Sequence, residues 1–474
     1  MSEEKENIAS YEIIEKMDID ERNDKLYQQK KSRYILKGLC SLLSCIINQF
    51  GYFTIWIMGN SIVYLISFRR YYNKKLTFSY GYFLIPIMDL TLSILAPIGG
   101  IIEDKIGGKK TITLSAFILC ISFTFMYFSR NILIDYLLMC LNGLGLAIGI
   151  SISKKNVCSF FLDRKALING IVYLIPGFLC AGLNIFNEKY ILNPQSESPT
   201  IENIYYDKSI FLNFQTLIIF EIGILIITTI LTLLLYFQNN PKETIIFGFN
   251  EKDSEIQFDK KHKKKNKEVK ISKKTEIKKA IYNKRAIRLF IMIFSFFPSI
   301  NCIYNTWRPI GIYYKINTYY LQLTTALFSI IGCLSSIIFA LIGDKIKFRS
   351  LFLLFSFSLI IVSLTFPLSF KNDFYFISEV LIMAFILRGY NIIIDPHIIK
   401  VYGIRNYIEI GGIIRSSGGL CEILSVVFAF YLENNFLGDK NYIYKLMYII
   451  TAFFNLISLI LGLFEGNDKF KYEN

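Results

Sequence analysis

Stretches of roughly 20 apolar residues, long enough as helix to cross about 30 Å of hydrocarbon, alternate along this chain with short polar turns. Twelve of them lie near 37–66, 79–102, 110–128, 132–153, 166–186, 212–237, 287–307, 320–342, 350–370, 374–397, 409–432 and 444–464. Each predicts a transmembrane helix, because an isolated strand in lipid leaves its backbone groups unpaired. Six precede the long polar segment at 238–286 and six follow it. The pattern therefore divides the chain into an N-terminal tail (1–36), a six-helix bundle (37–237), a basic loop (238–286), a second six-helix bundle (287–464) and a C-terminal tail (465–474). The expected fold class is an all-α polytopic membrane protein built of two bundles.

The two halves repeat one layout. At Gly100-Ile101-Ile102-Glu103-Asp104-Lys105-Ile106-Gly107-Gly108-Lys109-Lys110 an apolar helix runs out into an acid and a basic cluster, and the same happens at Ala340-Leu341-Ile342-Gly343-Asp344-Lys345-Ile346-Lys347-Phe348-Arg349. Arg164 stands six residues before Gly170 at the mouth of one apolar helix, and Arg405 six before Gly411 at the mouth of another. Paired landmarks of this kind are the signature of a duplicated, pseudo-symmetric transporter.

Composition sharpens this picture. A chain of 474 residues that is 53% hydrophobic, with only 10 prolines, carries more apolar side chain than a soluble core hides. Most of its 52 Lys and Arg residues fall on the side of the N-terminus, which predicts cytoplasmic N- and C-termini. The net charge of +15 follows from that bias, so nucleic acid is not expected as a partner. Within the loop, Lys260-Lys261-His262-Lys263-Lys264-Lys265 is expected to touch anionic lipid. Residues 1–33 are crowded with charge and lack an apolar stretch, so no cleavable signal is expected. Nine cysteines without paired spacing and two histidines, His262 and His397, offer no metal site, disulfide framework or catalytic triad. No cofactor and no enzyme activity are expected, and a monomer is one of the oligomeric states the sequence leaves open.

The segment from Gly100 to Lys110 resembles the signature loop of the major facilitator superfamily, and its echo at 340–349 falls where that family repeats it. The resemblance implies two six-helix bundles that rock about a midplane site. It also assigns a gating role to Gly100, Asp104, Lys105, Gly107, Asp344 and Lys345, with Asp104 accepting hydrogen bonds from a neighbouring helix end. A narrower likeness lies in Gly143, Gly145 and Gly149 followed by Phe160-Phe161-Leu162-Asp163-Arg164-Lys165-Ala166-Leu167-Ile168-Asn169-Gly170, which is similar to the oxalate/formate antiporters and monocarboxylate transporters. It adds Asp163, Arg164 and Arg405 to the gating set and implies a small organic anion, moved by antiport or proton symport. The eighth span departs from that group by carrying no basic residue, which argues against oxalate itself.

Charges inside apolar spans supply the candidate chemistry, since each costs about 2.5–3.5 kcal/mol on insertion scales and must face a cavity or a partner. Arg388 in the tenth helix is the first candidate for gripping a carboxylate, because its planar guanidinium makes two-point contacts. Pairing with Glu422 or with Asp395 is the alternative. Arg415 is a second substrate candidate that could instead pair with Glu409, and Tyr52 and Trp56 are candidates for the cavity wall. Asp89, Glu221 and Glu422 are candidates for proton coupling or for ion pairs. Lys154 and Lys155, at the end of the fourth helix, are expected to snorkel. A carrier of neutral or cationic solutes, or a receptor of the same shape that no longer transports, remains open.

Overall fold

The computed structural model describes residues 2–57, 62–76, 78–161, 164–192, 212–239, 273–343, 345–404, 406–435 and 440–466. Fourteen α-helices and no strand occur among them: α1 (Ser2–Ile57), α2 (Ile62–Tyr72), α3 (Leu84–Ile106), α4 (Gly108–Phe128), α5 (Ile132–Phe160), α6 (Lys165–Phe186), α7 (Asn213–Leu235), α8 (Lys273–Ile281), α9 (Lys284–Tyr313), α10 (Thr318–Gly343), α11 (Phe348–Ser369), α12 (Asp373–Tyr402), α13 (Tyr407–Asn435) and α14 (Lys440–Leu463). Every one of the twelve expected spans is helical in its described part. Eleven stretches are long and apolar enough to cross a membrane, and Leu327–Gly343 within α10 adds a shorter one. Helix α1 begins at Ser2 rather than near residue 37, so the expected tail is a helical extension of the first span.

Local chemistry sets several boundaries. The Asn131 side chain accepts a hydrogen bond from the Leu133 amide to start α5, and Asn372 accepts from the Phe374 and Tyr375 amides to start α12. Gly107 (φ 83°) ends α3 and Gly403 (φ 82°) ends α12, both in backbone that a side chain rarely adopts. On the outer surface, Phe117, Leu137, Leu234 and Leu368 are exposed, an apolar coat that calls for lipid as solvent.

Helices α1–α7 form one bundle and α9–α14 the other. The second helix of each half packs against the fifth of the opposite half, so the bundles meet along two seams, α3 with α13 and α6 with α10. Glycine makes both seams close. A Cβ at Gly412 would lie 2.9 Å from that of Ala96, and one at Gly419 would lie 2.9 Å from the Asp89 carbonyl oxygen. On the other seam a Cβ at Gly170 would stand 2.2 Å from that of Ala340. The face where α3 ends and α4 begins, bearing Lys105, Lys109 and Lys110, is termed the basic face below.

Two buried clusters fasten the bundles internally, one in each. In the first, Arg69 at the end of α2 donates from Nε and Nη2 to both Asp135 oxygens at 2.6 and 2.9 Å, and also donates to the Met126 and Ser129 carbonyls. Neither residue is more than 1% exposed. In the second, Glu465, just beyond α14, pairs with Arg285 and Arg288 at the start of α9 (2.7 and 3.2 Å) and contacts His397 Nε2 at 3.3 Å. The His397 ring stacks on Phe348 with centroids 3.9 Å apart.

Asp135→Ala strands the Arg69 guanidinium without its acid and should cost about 3–5 kcal/mol of stability. Thermal unfolding of purified protein in detergent, read by a thiol-reactive dye at the buried cysteines, measures it; replacing both partners with apolar residues should recover much of the loss. Burial alone would raise the Glu465 carboxyl, but the His397 hydrogen bond and Arg285 outweigh it and hold the carboxyl below its usual 4.5. A carboxylate held low contributes stability above that value and loses it as pH falls through the lowered one. Glu465→Gln should therefore melt lower than the native protein at neutral pH, and the gap should close on acidification below pH 4.5.

Candidate functional site

Between the bundles lies a cavity of about 500 Å³, walled by helices of both halves. It reaches from Ile85 and Pro86, in the first turn of α3, to Lys154 and Arg415, deep toward the basic face. Below that floor the bundles are closed. The Asn169 amide on α6 donates to the Asn391 and Ile392 carbonyls of α12 at 3.2 and 3.0 Å. Lys154 on α5 approaches Asp395 on α12 at 3.9 Å, while Arg415 on α13 meets the other Asp395 oxygen at 3.1 Å. Lys154 also donates to the Tyr173 hydroxyl, and Arg415 lies over the Tyr407 ring at 5.3 Å. One buried acid thus binds two cations, one from each bundle.

Arg388 stands on the cavity wall. Its guanidinium lies over the Phe53 ring of α1 at 5.6 Å, and its stem fills the space left by Gly332 of α10, where a Cβ would come within 2.8 Å of Arg388 Cγ. Among the described residues no carboxylate comes within ion-pair distance of it. Neither expected pairing forms: Asp395 is taken by Arg415 and Lys154, and the Glu422 carboxyl adjoins that of Asp89. Asp89 and Glu422 both line the same cavity. The pairing of Arg415 with Glu409 is likewise replaced, because the arginine on α13 reaches toward α12 and Asp395.

Other candidates fall elsewhere. Tyr52 is 1% exposed and turns inward to Ser115 Oγ at 2.9 Å, so it packs within its bundle and its neighbour Phe53 takes the cavity position. The Trp56 side chain, together with Asp163, Asp344 and Arg405, lies outside the described residues. Glu221 is buried in the first bundle, where Asn187 donates to it at 3.3 Å, and is not among the cavity-lining residues. Gly100 does permit a close approach: a Cβ there would meet Glu409 Oε1 at 2.7 Å. Asp104 and Lys105 are exposed at the end of α3, Arg164 and Lys345 are exposed in their turns, and Glu103 makes the ion pair with Lys155 at 2.7 Å. Lys154 does not snorkel; it is 5% exposed and faces the cavity floor. Its partner Asp395 lies 241 residues further on, a pairing no local spacing discloses. Among the described residues no group of His, Cys, Asp or Glu is arranged to hold a metal ion.

Asp395→Asn removes the acid from beneath two cations. The closed basic half should loosen, and the 5%-exposed Cys158, one turn beyond Lys154, should react with a thiol reagent at least tenfold faster than in the native protein.

A sequence profile described as Major Facilitator Superfamily matches residues 209–399. No curated protein sequence matches the chain. Among solved structures it is similar to the proton:xylose symporter XylE bound to 6-bromo-6-deoxy-D-glucose (13% identity, TM-score 0.64, covering 89% of this chain and 95% of that one). It is also similar to the human organic anion transporter MFSD10 (10%, 0.60, 90% and 99%) and to the E. coli fucose:proton symporter FucP (13%, 0.59, 91% and 98%). Two six-helix bundles enclosing a central cavity, with these likenesses along most of the chain, give this protein the major facilitator fold.

Proposed function

We propose that the protein is a secondary transporter that carries a small carboxylate-bearing metabolite across a membrane by alternating access. The fold accommodates sugar and anion carriers alike, so the solute must be inferred from the cavity's own residues. The single observation that carries the reading is Arg388. Lys154, Lys155, Arg69 and Arg415 each have an acid partner, whereas Arg388 faces the cavity without one among the described residues. A guanidinium in such a place calls for an incoming anion, and a carboxylate fits its planar fork. The glycine-rich α5 and the segment from Phe160 to Gly170 support a carboxylate of the kind moved by the oxalate/formate and monocarboxylate group.

In the proposed cycle the basic face is cytoplasmic, and the state described here is closed on that side. Solute enters from the opposite face and engages Arg388. The bundles then rock, parting the contacts of Lys154 with Asp395 and of Asn169 with α12. Coupling is by antiport or by proton symport. The loop expected to touch anionic lipid has its central residues, 240–272, outside the described residues.

Uptake of radiolabelled formate, lactate, pyruvate, oxalate and pantothenate into proteoliposomes should fall roughly ten- to a hundred-fold for Arg388→Ala, the loss of a charge-assisted contact worth about 1.5–3 kcal/mol. Arg388→Lys should keep part of it. Unchanged uptake in Arg388→Ala would remove the arginine from the site.

A further inference from the structure

Asp135, Asp395 and Glu465 each meet a cation, as a buried carboxylate must. Glu221 does not. It sits on α7, two turns in from the end opposite the basic face, is 1% exposed, and has no Lys, Arg or His as an ion-pair partner among the described residues. Its measured contact is with Asn187, where α6 passes into the π-helical turn Asn187–Leu192: the amide Nδ2 donates to Glu221 Oε1 at 3.3 Å. The two remaining oxygens, Glu221 Oε2 and Asn187 Oδ1, are both buried and have no hydrogen-bond partner. Both are acceptors, so neither satisfies the other. Thr54 of α1 supplies no donor either, because its hydroxyl donates to the Gly51 carbonyl at 2.9 Å.

A single proton resolves this arrangement. A neutral carboxyl and a primary amide are complementary, the amide N–H donating to one acid oxygen and the acid O–H donating back to the amide oxygen. Half of that ring is formed here, and a proton on Oε2 completes the other half. The same proton removes a bare charge from among apolar helices. No neighbouring cation does so in its place. The charges of α1 all precede Gly38, those of α4 are Lys109 and Lys110 in its first turn, and α2 carries Arg69, held by Asp135, and the partly exposed Arg70. From α6 the titratable neighbour is the Cys180 thiol, and the side chains of Glu188 and Lys189 lie outside the described residues.

We propose that Glu221, completed by Asn187, is the proton-binding site of this carrier, and that solute moves together with the proton on Oε2. This rests on the carrier reading above and selects proton symport over antiport. The placement suits the role. Asn187 caps the helix whose Gly177, Cys180 and Asn184 line the cavity, so proton and solute act on one element, α6. When the proton leaves Oε2 for water, two acceptor oxygens face each other and the end of α6 loosens from α7. When it returns, the ring ties them.

Infrared difference spectra of the full chain in lipid, native minus Glu221→Gln at mildly acidic pH, should show the C=O stretch of a neutral carboxylic acid. In Asn187→Leu that band should move to higher wavenumber, because the acid carbonyl has lost its amide donor. In proteoliposomes, uptake of the labelled carboxylates driven by an acid exterior should fall tenfold or more for Glu221→Gln relative to solute exchange at equal pH. A merely structural loss would lower both alike. Absence of the band, or an unchanged ratio of driven uptake to exchange, would overturn the proposal. No uptake of any carboxylate by native protein would overturn the solute reading, and the band then decides the proton site alone. Should Glu221→Gln fail to fold, the band shift between native protein and Asn187→Leu decides it.

Discussion

A charge among membrane helices is tolerated only where another group meets it, and in this chain the meeting places exist because helices touch at glycine. Gly412 and Gly419 let α13 lie against the backbone of α3, and Gly170 lets α6 lie against Ala340 of α10. A side chain at any of these positions would hold the bundles apart. Their closeness shuts the basic half, joins Glu422 to Asp89, and leaves the cavity open beyond, so the chemistry of the chamber is a consequence of small residues elsewhere on the same helices.

The spans and the repeat were legible in the sequence because they depend on periodicity and run length, which are local. Partnership was not. Lys154 and Lys155 are adjacent and look alike, yet about 100° of helix rotation sends one to Asp395 across the bundle interface and the other to Glu103 within its own bundle. The same rotation puts Phe53 on the cavity and Tyr52 inside the bundle, reversing the expected assignment. Arg69 and Asp135, the tightest pair in the first bundle, lie near helix ends where charges are ordinary, so no sequence signal set them apart. Arg388 was legible because a lone arginine in the middle of an apolar run has no ordinary explanation.

The ion pairs divide by whether they cross between bundles. Arg69 with Asp135, Lys155 with Glu103, and Arg285 with Glu465 each stay within one bundle, so the proposed rigid-body rocking would leave them intact. In the proposed cycle Lys154 with Asp395 must break. It is the longest of these contacts, at 3.9 Å, where the others fall between 2.6 and 2.7 Å. A weak bond at the moving boundary and strong ones inside the moving bodies is what reversible closure requires, since a tight buried pair across the boundary would cost several kcal/mol to part.

Asp395 makes that parting tolerable for every charge concerned. When the bundles separate, the acid keeps Arg415, which lies in its own bundle at 3.1 Å, and Lys154 keeps the Tyr173 hydroxyl and ring, which lie in its own bundle. Neither Asp395, Arg415 nor Lys154 would be left bare in the proposed cycle, so the closed and open forms can lie within the few kcal/mol that solute binding supplies. Arg388 differs in this respect. It has no acid in its own bundle to fall back on among the described residues, and under the proposed function a solute carboxylate would supply the compensation that Asp395 gives to Arg415.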